Sequence, residues 1–249
     1  MFTVRLDTKG EFEVRWPSTD SEVITLGELY VAYESSQPVE QQLPSPALAS
    51  VQAALAQAQT AMQAATSGEM ARAAASELYH QGMTTARPLL ELIINRLKGK
   101  YAEHLAQLEL WGLNTKQGSR GVSVTKPKNE NEWADFLLAY VAREQSLDSD
   151  ARVINPALEQ MSALATTVQA NREGRRSNQT QREISIQARV EAVTKLLGLL
   201  QAAALVLLTT RFESKVKTDL QAWGYDIALR VTTPNDTTPP DVPPVTPPA

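Results

Sequence analysis

Residues 14–36, VRWPSTDSEVITLGELYVAYESS, and residues 124–146, VTKPKNENEWADFLLAYVAREQS, read as one segment written twice. Extended to 14–48 over 124–158, the ungapped alignment has 11 identities in 35 positions at an offset of 110. They include Pro17/Pro127, Glu22/Glu132, Tyr30/Tyr140, Glu34/Glu144 and Pro46/Pro156. The match returns at an offset of 112, where Leu108, Trp111 and Gly112 lie over Leu220, Trp223 and Gly224. Self-similarity at a fixed spacing marks a repeated structural unit. The sequence therefore predicts copy one at 1–112, copy two at 113–231 and a Pro/Thr-rich tail at 232–249, the two copies forming one compact unit.

Each copy reads as a β segment, a short helix and a helix hairpin. The short helices are expected at Glu22–Ser35 and Glu132–Ser146, on the helical spacing of Val23, Leu26 and Tyr30 and of Trp133, Leu137 and Tyr140. The first long arm begins at Pro46-Ala47-Leu48, where proline suits a first helical turn. Leu48, Val51, Leu55, Ala58, Met62 and Ala65 then repeat as a seam of coiled-coil type. Copy two repeats it with Leu158, Met161, Ala165 and Val168.

These arms are expected to stop near Ser67-Gly68 and Gly174. New helices would start at the capping boxes Thr66 to Glu69 and Thr180 to Glu183. The last arm would run on from Ile186 to Trp223, and Gly112 and Gly224 would close the long helices in the left-handed conformation. A kink is expected at Pro88. Strands are expected at Phe2–Leu6 and Phe12–Trp16 as a hairpin, at Val122–Thr125 and at Tyr225–Val231. The fold class that follows is mainly α. Two long helix hairpins form an internally duplicated antiparallel four-helix bundle or coiled-coil rod, with two short helices, a small β-sheet cap and a disordered Pro-rich tail.

Composition narrows the chemistry. The chain has 249 residues and a net charge of −4. It has no cysteine, which removes disulfides, thiolate metal sites and cysteine nucleophiles. His80 and His104 are the two histidines, too few for a multi-histidine metal centre. Glu77-Leu-Tyr-His80 resembles half of a di-iron carboxylate motif, but the other long arm has Arg189 and Val190 where the partner residues would stand. No phosphate-binding glycine loop and no nucleophile elbow is written in the chain. Gly118-Ser-Arg-Gly121 reads as a turn between strands, and Asp148 and Asp150 as helix-capping residues in a connection.

The strongest charge cluster is Arg172, Arg175, Arg176 and Arg182, expected at the tip between two arms as a contact for an anion or an acidic partner. Nucleic acid is not favoured, because the chain is acidic and no aromatics interleave with the arginines. In the tail, Pro240, Pro243, Pro244 and Pro247 form two PxxP spacings, read as a spacer or docking peptide.

The function expected is non-enzymatic, with no cofactor. It is that of a structural or adaptor protein making protein–protein contacts, or self-associating, in a larger assembly such as a virus particle, a phage-tail-like machine or a bacterial surface structure. Two alternatives stand beside it. One is a membrane-active helical bundle inserting Leu196–Leu208. The other is a metal-binding bundle around Glu77 and His80. The start of the chain lacks the apolar region of a signal peptide, and the 13-residue run Leu196–Leu208 is shorter than the ~20 residues of a membrane span. The expected location is thus the cytoplasm or an assembled particle.

Overall fold

The computed structural model describes residues 11–118, 121–152 and 155–230. The tail with Pro240, Pro243, Pro244 and Pro247, and the expected strand at Phe2–Leu6, lie outside them.

The protein is mainly helical. In order come β1 (Phe12–Arg15), α1 (Asp20–Ser36), α2 (Leu48–Lys100), β2 (Asn114–Gly118), β3 (Gly121–Thr125), α3 (Glu130–Gln145), α4 (Leu158–Arg211) and β4 (Asp226–Leu229). Short 3-10 helices cover Leu105–Trp111 and Thr218–Trp223. The chain divides into two compact units. Unit 1 comprises 1–62 and 188–249, and unit 2 comprises 63–187. These bounds cut across the copies 1–112 and 113–231, because each unit takes one end of α2 and one end of α4.

The expected helix hairpins are corrected. α2 runs unbroken through Ser67, Gly68 and Pro88, and α4 runs unbroken through Gly174. Two continuous helices replace the four arms of a bundle, and Thr66 and Thr180 are helix-interior residues rather than caps. The reason lies in the seam. On α2 the inward positions continue past Ala65 through Ala75, Tyr79, Met83, Ala86, Leu90, Ile93 and Leu97. A helix-interior glycine costs about 1 kcal/mol against alanine. That cost is small beside a continuous buried face, and at Gly68 the missing side chain lets Arg182 pack close: an added Cβ would lie 3.5 Å from Arg182 Cα.

α4 also ends earlier than expected, at Arg211. Glu213 and Ser214 take positive φ, and Val216, Leu220 and Trp223 belong to the segment beyond. Likewise α2 ends at Lys100, so each Trp-Gly pair closes a 3-10 helix instead of a long one.

In unit 1, α1 starts at a capping box: Thr19 accepts from the Glu22 amide while Glu22 reaches back to the Thr19 amide at 3.0 Å. Its buried face, with Val23, Leu26 and Tyr30, packs with Val51, Leu55, Leu196, Leu200, Leu207 and Trp223 in one core. Gly27 is the contact point, where a Cβ would meet Leu196 and Leu55 at 3.2 Å. β1 pairs antiparallel with β4, Phe12 opposite Leu229 and Arg15 opposite Asp226. The C-terminal strand thus pairs with β1, and the described strands form two two-stranded sheets, β1–β4 and β2–β3, in place of the single sheet cap expected.

Unit 2 is built from the same parts. Asn129 caps α3 by accepting from the Glu132 amide at 3.0 Å. The core holds Trp133, Phe136, Leu137 and Tyr140 of α3, Tyr79 to Leu97 of α2, Met161, Ala165 and Val168 of α4, and Trp111. β2 pairs with β3, Asn114 opposite Thr125. Along unit 2, Glu69 contacts Arg182, Leu78 contacts Asn171, and Gly82 faces Val168. As one number rises the other falls, so the two helices run antiparallel there.

The Trp-Gly pairs carry the tightest geometry. Gly224 (φ 86°) lies where a Cβ would come within 2.6 Å of Leu29 Cβ, and Gly112 (φ 83°) within 2.5 Å of Ala139 Cβ. In unit 1 the short helix α1 meets the Trp223-Gly224 pair, and in unit 2 α3 meets the Trp111-Gly112 pair.

Candidate functional site

The four arginines singled out by sequence all lie in unit 2, on the middle of α4 rather than at a hairpin tip. Here the inward positions of α4 are polar. Asn171, Arg172, Arg175, Asn178, Gln179 and Arg182 are half-buried along the strip that faces α2. Such a strip lacks the apolar stripe that announces a helix, yet it is helical because its side chains find partners.

Arg172 is the most enclosed, its side chain 16% exposed, and Nη1 binds Asp135 Oδ1 of α3 at 2.5 Å. Its Nε is buried without a hydrogen-bond partner among the described residues. Arg182 pairs with Glu69 of α2, whose other oxygen takes Arg72 Nε at 3.3 Å. The Arg182 hydrogen bond is the main reason that the Glu69 carboxyl is held below its ordinary pKa, against a smaller opposing effect of burial. Arg175 lies over the Tyr79 ring, 4.6 Å from guanidinium carbon to centroid. Tyr79 donates its hydroxyl to the Glu130 carbonyl at 3.1 Å. Burial raises its pKa, opposed by Arg172 and Arg175.

Three of the four arginines thus hold unit 2 together. Arg176 is different: it is exposed and forms no salt bridge among the described residues. It lines a groove between α2 and α4 with Arg72, Ser76, Arg175, Gln179 and Thr180. Arg72 is the member that sequence reading missed. It lies about a hundred positions from the others, and only the antiparallel register brings it to them.

The other candidates separate. His80 Nδ1 lies 2.6 Å from Glu130 Oε1, and Glu77 accepts from Gln81 at 2.9 Å. Glu77 and His80 therefore turn to different partners, and no group of three or more acidic or imidazole side chains converges among the described residues. Asp148 occupies the N-cap of the 3-10 helix Ser149–Ala151 without a side-chain cap bond.

Within Leu196–Leu208, Leu196, Leu197, Leu200, Ala203, Ala204, Leu207 and Leu208 are buried in the unit 1 core, while Leu205 is 49% exposed. α4 holds an 18-residue window of mean hydropathy 1.8, which by length and composition suffices to cross a membrane, and 44% of that window is buried.

No protein-family model matches this chain, and comparisons with curated proteins and with solved structures give no significant match.

Proposed function

We propose that this chain is a non-enzymatic structural or adaptor protein that works through protein–protein contacts within a larger assembly. One observation carries the reading: an exposed, uncharged stripe along α2 in unit 2. Met70, Ala74, Leu78, Gln81, Thr85, Pro88 and Leu92 are all exposed. At 100° per residue they fall within about 80° of the helix circumference. Their spacing of 4, 4, 3, 4, 3 and 4 is that of a surface that receives another helix. Met70 is 63% exposed, Leu78 55% and Leu92 39%. A solvated helix face ordinarily carries charge, and this one carries none over six turns.

An internal duplication supports the same reading. The paired identities, the two left-handed glycines after tryptophan and the two buried glutamates Glu34 and Glu144 recur at matching positions. A doubled unit suits a component that presents equivalent surfaces. The Pro-rich tail from 232 to 249 would serve as a spacer or docking peptide.

The test is molar mass by light scattering, on the full chain, on a chain ending at Thr233 and on Leu78→Lys/Leu92→Lys. A defined oligomer that survives tail removal and dissociates in the double variant is the expected result for self-assembly. A monomer in all three, with no partner retained by immobilised protein, would sink the reading.

A second reading rests on the hydropathy of α4: a membrane-active bundle that inserts Leu196–Leu208. Dye release from anionic and neutral liposomes between pH 4 and 8 decides it, and intact vesicles throughout would end it.

A further inference from the structure

We infer that the groove between α2 and α4 in unit 2 binds a phosphate-type oxyanion, at a site assembled from Arg72, Ser76, Arg175 and Arg176. The proposal is independent of the assembly reading. It rests on charge, donor count and how the donors are held.

Three guanidinium groups reach one groove. One carboxylate, Glu69, touches the cluster, at 3.3 Å from Arg72 Nε, and it is shared with Arg182. Arg175 and Arg176 form no salt bridge among the described residues. Two cations are thus left without an ion-pair partner among the described residues, in a chain whose net charge is −4.

The arrangement is also held in place. Arg175 places its guanidinium carbon 4.6 Å from the centre of the ring of Tyr79, which is fully buried. A guanidinium held over a ring by the cation–π attraction spends none of its N–H donors on that contact. Arg72 is oriented instead by donating Nε–H to Glu69, which leaves its terminal nitrogens available.

Of the uncharged groove residues, Thr180 donates its hydroxyl to the Arg176 carbonyl and Gln179 donates its amide to Glu183. The Ser76 hydroxyl makes no hydrogen bond to another described residue. One hydroxyl and three forks exceed what a single carboxylate can accept, and they match an anion with three or more oxygens. An extended polyanion would need a row of cations rather than one cluster. The oxyanion can come as free phosphate or as the phosphoryl group of a modified side chain.

The experiment is titration of the full chain at low ionic strength, followed by calorimetry and by backbone amide shifts. The probes are inorganic phosphate, acetate, and a peptide with phosphoserine or serine. Phosphate is expected to saturate with a millimolar or tighter Kd, while acetate does not. Tighter binding of the phosphoserine peptide than of phosphate would assign the source to a modified protein. The reverse would assign it to the free ion.

Arg176→Gln should weaken binding at least tenfold with unchanged Tm, because the residue is exposed. Lys98→Gln, which removes one charge from α2 outside the groove, should leave affinity within twofold. Shifts should cluster at residues 72–76 and 175–180. The proposal fails if phosphate does not saturate, if acetate binds as well, if Arg176→Gln binds like wild type, or if Lys98→Gln loses as much.

Discussion

Trp223 donates its indole N–H to Glu34 Oε2 at 2.7 Å, inside the unit 1 core, across 189 positions of sequence. The other carboxylate oxygen accepts from the Leu43 amide. Glu34 is fully buried, so these two donors replace water around its carboxyl. Leaving a buried acceptor unpaired costs about 1–3 kcal/mol, more if it is charged. Trp223→Phe keeps an aromatic ring in the pocket but removes the donor. It should destabilise the protein by about 2 kcal/mol in urea unfolding. In a double-mutant cycle with Glu34→Ala, the coupling should exceed about 0.5 kcal/mol, as for residues in direct contact. Additive losses would show that the bond contributes nothing beyond packing.

Glycine substitutions separate the continuous helix from a hairpin. At Gly174 an added Cβ meets nothing within 4 Å, and the residue lies inside α4. Gly174→Ala should therefore raise stability by about 1 kcal/mol, the helix propensity difference. A turn at that position, with glycine at positive φ, would reverse the sign. Gly112→Ala and Gly224→Ala should instead cost about 1–3 kcal/mol for the left-handed backbone, and more for the 2.5 Å and 2.6 Å approaches to Ala139 and Leu29. Thermal melts of the three variants decide the matter.

The Glu69–Arg182 pair sets an acid limb. The folded pKa of Glu69 is depressed from its ordinary 4.5, chiefly by the Arg182 hydrogen bond. The pair's contribution is thus present above pH 4.5 and is lost as pH falls through the lower folded value. Urea midpoints of wild type should fall more steeply below pH 4.5 than those of Glu69→Gln, which has no proton to gain. Parallel acid limbs would contradict the assignment.

The apolar run of α4 can be tested by contrast. Leu200 is buried, and its carbonyl accepts from the Tyr225 hydroxyl at 2.7 Å. Leu200→Ala should cost about 2–5 kcal/mol as a core truncation. Leu205, 49% exposed, should tolerate Leu205→Gln within about 0.5 kcal/mol. Equal sensitivity at both sites would mean that the whole circumference of the helix is covered in solution.

Much of this architecture was legible along the chain. The 3-4 spacing of Leu48 to Ala65 and of Val23, Leu26 and Tyr30 marks helices because apolar residues must share a face to leave water. The Trp-Gly pairs mark where segments stop, since left-handed glycines act within a few residues, whereas the capping boxes expected at Thr66–Glu69 and Thr180–Glu183 lie inside α2 and α4 and the box that starts α1 is Thr19–Glu22. The strands at Phe12–Arg15 and Asp226–Leu229 were legible as strands, but their pairing with one another belongs to the tertiary structure. The failure at Ser67-Gly68 and Gly174 has one cause. Stop signals there are local and weak, about 1 kcal/mol each, and the seam beyond them on α4 is written in Arg, Asn and Gln, which binary patterning reads as solvent.

Sequence by itself determined the helical class, the cysteine-free and histidine-poor chemistry, and the positions of the repeated landmarks, because each depends on composition or on residues within one or two turns. Tertiary structure alone decided that α2 and α4 continue, that Glu34 finds Trp223 and not Trp111, and that Arg72 joins Arg175 and Arg176. Those outcomes depend on which faces of distant segments bury together, and no spacing along one segment encodes the identity of its partner.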